Sequence, residues 1–186
     1  MINRPKIPAR FKSATLAQFS NIPNLGDVKD RQSYFLTGPV GTGKTHLAAA
    51  ILKEWIKYRH PLATGYQLHA EWNSAFIAVP ELLGHIQATF NPKHDTSTEY
   101  MQNSFQYAKC LVLDDLGAEK MSEWSFSCLY RIISYRNDSL WPTVVTSNLG
   151  LAQIDTWEPR IASRLGGWRV VAMSGKDRRL ESGADA

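Results

Sequence analysis

The sequence predicts an α/β protein, a five-stranded parallel sheet flanked by helices, and three observations carry that prediction. Short apolar runs rich in β-branched residues alternate with longer runs of helical periodicity, the pattern of strands joined by crossover helices. The short runs lack polar alternation, as strands covered on both faces do. A glycine-rich turn joins the first short run to the first long one, so the chain leaves a strand and enters a helix there.

Taken in order, residues 1–26 read as a basic N-terminal arm, because Arg4, Lys6, Arg10 and Lys12 precede the first acid, Asp27. Residues 27–180 make the core and residues 181–186 a C-terminal tail. The first strand is Tyr34–Thr37. His46–Arg59 follows as a helix with Leu47, Ile51, Leu52 and Trp55 on one face. His60–Asn73 is an irregular, aromatic connector to the second strand, Ala75–Val79. Pro80 starts a helix over Glu81–Phe90 that repeats Leu82, Leu83, Ile86 and Phe90. Asn91–Ser104 is polar, holds a proline, and reads as a loop or a frayed helix. The third strand is Cys110–Asp114. Ser122 then caps a helix running to Asn137, with Phe126, Leu129, Tyr130 and Ile133 at spacings of three and four. Strands Thr143–Thr146 and Arg169–Met173 complete the sheet.

A chain of 186 residues, 44% hydrophobic and 20% charged, has the makings of one ordinary core, which excludes collagen-like, disulfide-rich and disordered classes. Its two cysteines, Cys110 in a strand and Cys128 in a helix, read as small buried hydrophobes in a reducing compartment. No apolar run is long enough to span a bilayer, and the N-terminus lacks the apolar segment of a signal peptide. The expectation is a cytoplasmic protein with no membrane partner. The net charge of +4 is unevenly placed: Arg160, Arg164, Arg169, Lys176, Arg178 and Arg179 face Asp177 alone, while acids gather at Asp114, Asp115, Glu119 and Glu123. Nucleotide phosphates or nucleic acid suit that asymmetry, and a solvated basic face accounts for it equally.

The chemistry is written in three places. Gly38-Pro39-Val40-Gly41-Thr42-Gly43-Lys44-Thr45 matches the P-loop, G-x-x-x-x-G-K-[ST], with a strand before it and His46 opening the helix after it. Glycines let backbone N–H groups turn inward around phosphate oxygens, and the helix N-terminus adds partial positive charge. Lys44 is placed to neutralise the β- and γ-phosphates of ATP, and the Thr45 hydroxyl to ligate Mg²⁺. The bland reading, a glycine turn capping a helix, leaves the lysine–threonine pair unexplained.

Cys110-Leu111-Val112-Leu113-Asp114-Asp115 is an apolar strand ending in two acids. Paired with a P-loop, it assigns Asp114 to Mg²⁺, through water, and Asp115 to polarising the attacking water. Thr143-Val144-Val145-Thr146-Ser147-Asn148 ends another buried strand, and Asn148 is a candidate for sensing the γ-phosphate, an Asx turn being the alternative. Arg160 and Arg164 lie four apart on one helical face. Either could reach a neighbouring subunit's γ-phosphate, although solvated helix arginines are the commoner case. The histidines show no metal-ligand spacing. Of the tryptophans, Trp72 in the polar connector is the candidate for DNA contact.

These motifs, in this order, resemble the DnaC/IstB-like AAA+ ATPases, a family of helicase loaders and transposition helper ATPases. The resemblance runs from Ile7-Pro8-Ala9-Arg10-Phe11-Lys12-Ser13-Ala14-Thr15 through the P-loop with its following His46 and Leu113-Asp114-Asp115-Leu116-Gly117-Ala118-Glu119. It continues through Leu129-Tyr130-Arg131-Ile132-Ile133, Tyr135-Arg136, Thr143–Leu149, Arg160–Leu165 and Gly175-Lys176-Asp177-Arg178-Arg179. It implies a P-loop NTPase of the ASCE type, with the P-loop strand central and the Asp114 strand beside it. Lys44, Thr45, Asp114 and Asn148 would bind and read one ATP per subunit. Arg164 falls on the position of an arginine finger acting in trans, with Arg160 the fallback. One of Arg178 and Arg179 matches a late sensor arginine, and residues near Phe19 line the adenine side. Subunits would assemble in a spiral or ring.

The departures are also specific. Few residues precede the core, so the family's N-terminal grip on a helicase or transposase is expected to be missing or supplied by another surface. The residues after the last strand are too few for a helical lid. The connector at Tyr66–Asn73 looks longer than usual and offers a contact surface. Asp115 stands where AAA+ proteins at large carry glutamate, which suggests slow turnover.

The expected function is an ATPase that acts on DNA, preferably single-stranded, with a replicative helicase as partner. The alternatives are a transposition helper on duplex DNA with a transposase partner, or a nucleotide-regulated scaffold with little turnover. The short chain favours the loader.

Overall fold

A computed structural model describes residues 7–19, 21–23, 25–30, 32–57, 74–118 and 121–175. It contains five strands, β1 (Tyr34–Thr37), β2 (Ala75–Ala78), β3 (Leu111–Leu116), β4 (Thr143–Ser147) and β5 (Arg169–Ala172). The helices are α1 (Lys44–Lys57), α2 (Val79–Ala88), α3 (Thr98–Gln106), α4 (Glu123–Asp138), α5 (Leu151–Asp155) and α6 (Pro159–Gly166). The strands form one sheet in the order β2-β3-β4-β1-β5, every pair parallel.

Period-two alternation divides the strand residues between two apolar layers. Tyr34, Leu36, Val112, Val144 and Val171 face α1, meeting Leu47, Ile51, Leu52 and Trp55. Phe35, Ile77, Leu111, Leu113 and Val145 face the opposite way, against α2, α3, α4 and α6. Both faces of the sheet are therefore covered, as the unbroken apolar runs require.

The strand order corrects one expectation. β4 lies between the P-loop strand β1 and the Asp114 strand β3, and β4, not β1, is central. All five β4 residues are buried, and its small β-branched and hydroxyl side chains suit a strand packed on both faces and both edges. Two hydroxyl-bearing residues, Thr146 and Ser147, are thereby inserted between the P-loop and the acids.

A second correction concerns residues 91–104. Thr98–Gln106 is an α-helix whose N-cap Ser97 accepts the Tyr100 N–H through its side chain. Phe105 and the half-buried Met101, four apart, pack into the core on one helical face. The remaining buried positions are polar, Gln102, Ser104 and Gln106, which hides the helix from a hydrophobicity pattern. Elsewhere Val79 starts α2 instead of ending β2, α2 ends at Ala88, and β3 runs on to Leu116. Ser122 caps α4 by accepting the Ser125 N–H.

Composition set residues 1–26 apart from the core. Of the described residues in that span, two 3₁₀ turns, Ala9–Phe11 and Leu16–Phe19, pack along α1, followed by a third at Val28–Asp30, and Ala14, Phe19 and Val28 are buried in the α1-side layer. The Lys53 ammonium donates to the carbonyls of Lys12 and Ala14, both at 2.7 Å. Trp55 Nε1 donates to Val28 O at 2.8 Å. The connector over residues 60–73 with Trp72, the Arg178/Arg179 pair and the tail 181–186 lie outside the described residues. Cys110 and Cys128 are both buried. Among the described residues no helix is long and apolar enough to cross a membrane.

Candidate functional site

Parallel pairing puts the C-terminal ends of β1, β3 and β4 on one edge of the sheet, where the loops of α/β proteins build their sites. The P-loop leaves β1 through Gly38, whose φ is 142°. A β-carbon there would collide with the carbonyl oxygen of Met173, so only glycine lets the loop pass the end of β5. Gly43 at φ 94° makes the last turn before α1.

The loop closes on its own lysine. Lys44 is only 5% exposed, and its ammonium donates to Gly38 O at 2.8 Å and Pro39 O at 2.7 Å. Thr42 Oγ1 donates to Pro39 O at 2.9 Å. Gly38, Pro39 and Thr42 thus form the back of the loop. Val40, Gly41, Gly43, Lys44, Thr45 and His46 line a cavity of about 530 Å³, a volume of small-molecule size.

Two acids stand on the far side, and β3 presents them differently. Leu113 pairs with Val145 and Leu116 with Ser147, so Asp114 and Asp115 together oppose the single residue Thr146. That is a β-bulge, which re-aims side chains locally. Asp115 takes a left-handed φ of 59° and turns into the cavity. Asp114 stays buried at 4% exposure, with its Oδ1 accepting from Thr146 Oγ1 at 2.7 Å. Burial pushes the Asp114 carboxyl above its ordinary value, and hydrogen bonds from Thr146 and Thr45 pull it partly back.

Asn148 lines the same cavity and is exposed. The Gly150 N–H, which an Asx turn at Asn148 would need, donates instead to Gln153 Oε1 at 2.8 Å. Asn148 therefore lines the cavity without closing an Asx turn on Gly150.

The remaining wall comes from the N-terminal turns. Arg10, Phe11, Gln18 and Phe19 line the cavity beside His46, whose ring sits 5.9 Å from Phe11 and 5.7 Å from Phe19 between centroids. Gln18 Oε1 lies 3.0 Å from His46 Nε2. Arg10, Phe11 and Gln18 were missed as site residues. Nothing in their spacing marks them, and the one signal is the pair of phenylalanines in a basic, polar stretch.

Arg160 and Arg164 do not line this cavity. Both guanidinium carbons sit 4.6 Å from the centroid of the Tyr130 ring. Arg160 forks onto Glu158 at 2.7 and 3.0 Å, which lowers the Glu158 carboxyl pKa and raises that of Arg160. Among the described residues Arg164 is bound only by neutral groups, donating to Ser134 Oγ at 2.9 Å, Arg160 O at 3.1 Å and Tyr130 Oη at 2.9 Å. No carboxylate among them pairs with it, whereas Arg160 is paired with Glu158.

Comparison with known proteins gives the family and the fold. A family described as "IstB-like ATP binding protein" matches residues 10–161. The replicative helicase loader DnaC of Buchnera aphidicola subsp. Baizongia pistaciae is 29% identical over 122 residues, 65% of this chain and 44% of that protein. An ATP-binding protein of insertion sequence IS21 from Pseudomonas aeruginosa is 26% identical over 131 residues, 70% of this chain and 43% of that one. The chain thus spans less than half the length of these curated relatives. Among solved structures, the DnaC helicase loader superimposes with a TM-score of 0.67 at 21% identity, covering 90% of this chain and 100% of that one. The likeness extends to the whole architecture, a parallel five-stranded sheet flanked by helices.

Proposed function

Because this chain belongs to the IstB-like ATP-binding protein family, we propose that it is an AAA+ ATPase that assembles on DNA in replication, in the manner of a helicase loader. The observation that supports this most is the facing of Lys44 and Thr45 by Asp115 and Asn148 across one cavity.

Each side chain has a task that its surroundings suit. Lys44 sits at the centre of the loop, bonded to two carbonyls that it can release for the stronger charge-assisted bonds of a triphosphate. Phe11, Phe19 and His46 offer an aromatic wall for the base. Thr45 and Asp114 are the residues that would hold Mg²⁺, which when bound neutralises charge developing on the phosphate oxygens. They fit it: one hydroxyl and one carboxylate are the oxygen ligands that Mg²⁺ takes together with phosphate. A dication would also relieve the cost of ionising the buried Asp114. Among the described residues there is no group of three or more His, Cys, Asp or Glu that could hold a metal by itself, and this scheme needs none.

Asp115, aimed into the cavity by the bulge, orients the attacking water and accepts its proton; Asn148 holds the water against the γ-phosphate. Arg164, with no carboxylate partner among the described residues, is the better candidate to act on a neighbouring subunit's nucleotide, which makes turnover depend on assembly in a spiral or ring. Replacing Asp115 by asparagine is expected to leave ATP affinity within about threefold while lowering phosphate release by roughly a hundredfold or more. Normal release would remove Asp115 from catalysis.

A second reading, the transposition helper on duplex DNA, is favoured by the IS21 relative, whose match covers more of this chain than that of the loader. The test is fluorescence anisotropy of equal-length single- and double-stranded DNA, titrated with protein in ATP and in ADP at fixed salt, since phosphate contacts make the affinity salt-dependent. ATP-dependent preference for single strands is the expected result and points to a replicative helicase as partner. Preference for duplex points to a transposase. Failure to bind either form replaces the DNA reading with a nucleotide-regulated scaffold.

A further inference from the structure

Thr146 is a fully buried polar residue on the strand inserted between the P-loop and the acids, and its hydroxyl has two partners. It accepts the Asp115 backbone N–H at 2.9 Å and donates its own proton to Asp114 Oδ1 at 2.7 Å. The directions are forced, because an N–H can only donate and the threonine has a single hydroxyl proton. One oxygen therefore touches the carboxylate of the first acid and the backbone of the second. The contacts coincide with the bulge, where Thr146 alone opposes both aspartates, and with the left-handed φ of Asp115. Next to it, Ser147 Oγ donates to Leu116 O at 2.6 Å, securing the far side of the bulge.

We propose that Thr146 is a positioning residue that aligns both acids at once: its hydroxyl sets the carboxylate that would hold the cation and pins the backbone turn that aims Asp115. The proposal rests on the ATPase reading above. It follows from the geometry that the two acids are not independently placed, so loss of one hydroxyl impairs cation-dependent binding and hydrolysis together. Valine is the sharpest substitution, since it keeps the shape of the side chain, leaves the Asp115 N–H without an acceptor and deprives Asp114 of a donor.

The test compares wild type, Thr146→Val and Thr146→Ser by calorimetric titration with ADP in Mg²⁺ and in EDTA, followed by phosphate release. For Thr146→Val the expected result is affinity in EDTA within about twofold of wild type, loss of about tenfold in the Mg²⁺-dependent part, and hydrolysis down by more than that. Thr146→Ser keeps the hydroxyl and is expected to recover both to within about threefold. Should the valine variant fail to fold, Thr146→Cys, with a weak donor of similar size, is expected to show the same losses in milder form. Wild-type behaviour of Thr146→Val, or a serine variant as impaired as the valine one, overturns the proposal. If wild type itself gains no affinity from Mg²⁺, the ATPase reading falls and takes the proposal with it, an outcome distinct from wild-type behaviour of the variant alone.

Discussion

Alanine in place of Lys44 is expected to lower ATP affinity at least about a hundredfold, effectively abolishing binding at micromolar nucleotide. The ammonium is the cation that the P-loop itself supplies to the cavity, and it is buried to 5% exposure at the first residue of α1. Charge-assisted hydrogen bonds of roughly 1.5–3 kcal/mol each disappear with it, and nothing in the loop replaces them. The fold is expected to persist, because the carbonyls of Gly38 and Pro39 that it serves lie beside a cavity that admits water. Titration calorimetry with ATP, alongside a melting curve without nucleotide, separates the two effects. A retained binding isotherm in a folded variant would remove Lys44 from the site.

The second large effect is on stability and lies far from the nucleotide. Methionine in place of Arg136 is expected to cost about 4 kcal/mol or more, a fall of roughly 8–16 °C in Tm for a domain of this size. Arg136 has no exposed surface, and no carboxylate among the described residues pairs with it. Its guanidinium donates to the carbonyls of Phe105, Gln106, Ala108 and Pro142 and to Thr143 Oγ1, all between 2.7 and 3.1 Å. Those acceptors come from the end of α3, the approach to β3 and the start of β4, so one side chain from α4 ties three segments together. Burial pulls its pKa down to about 9, which leaves it charged at neutral pH. Methionine fills comparable space but donates nothing, removing five buried hydrogen bonds at once. Thermal denaturation followed by circular dichroism reads the loss. A change under about 1 kcal/mol would mean that water reaches those carbonyls.

How far the molecule was legible depended on the range of the interactions involved. The P-loop could be read because its glycines, lysine and threonine act within eight consecutive residues. Helix α4 could be read because its cap Ser122 and its apolar stripe are local. Helix α3 read only as a loop or a frayed helix, since the partners that bury its Gln102 are remote: Gln102 Nε2 donates to Cys128 Sγ at 3.5 Å, and Gln102 Oε1 accepts from Arg131 Nη1 at 3.0 Å. The same holds for the cavity. Asp115 and Asn148 were placed by motif, but Arg10, Phe11 and Gln18 reach it through the packing of the N-terminal turns on α1, where Ala14 and Phe19 are buried and Lys53 bonds to Lys12 and Ala14.

By itself the sequence determined the α/β class, the phosphate-type turn between β1 and α1, and the two acids at the end of an apolar strand. Each of these is a pattern that residues impose on near neighbours through backbone sterics and periodic burial. Only the tertiary structure decided that β4 lies between the P-loop and those acids, that a bulge turns Asp115 inward, and that Thr146 and Arg136 are buried with their partners. Those outcomes depend on pairings between distant segments, such as Thr146 with Asp114 and Asp115, whose free energy exists only once the sheet has closed around them.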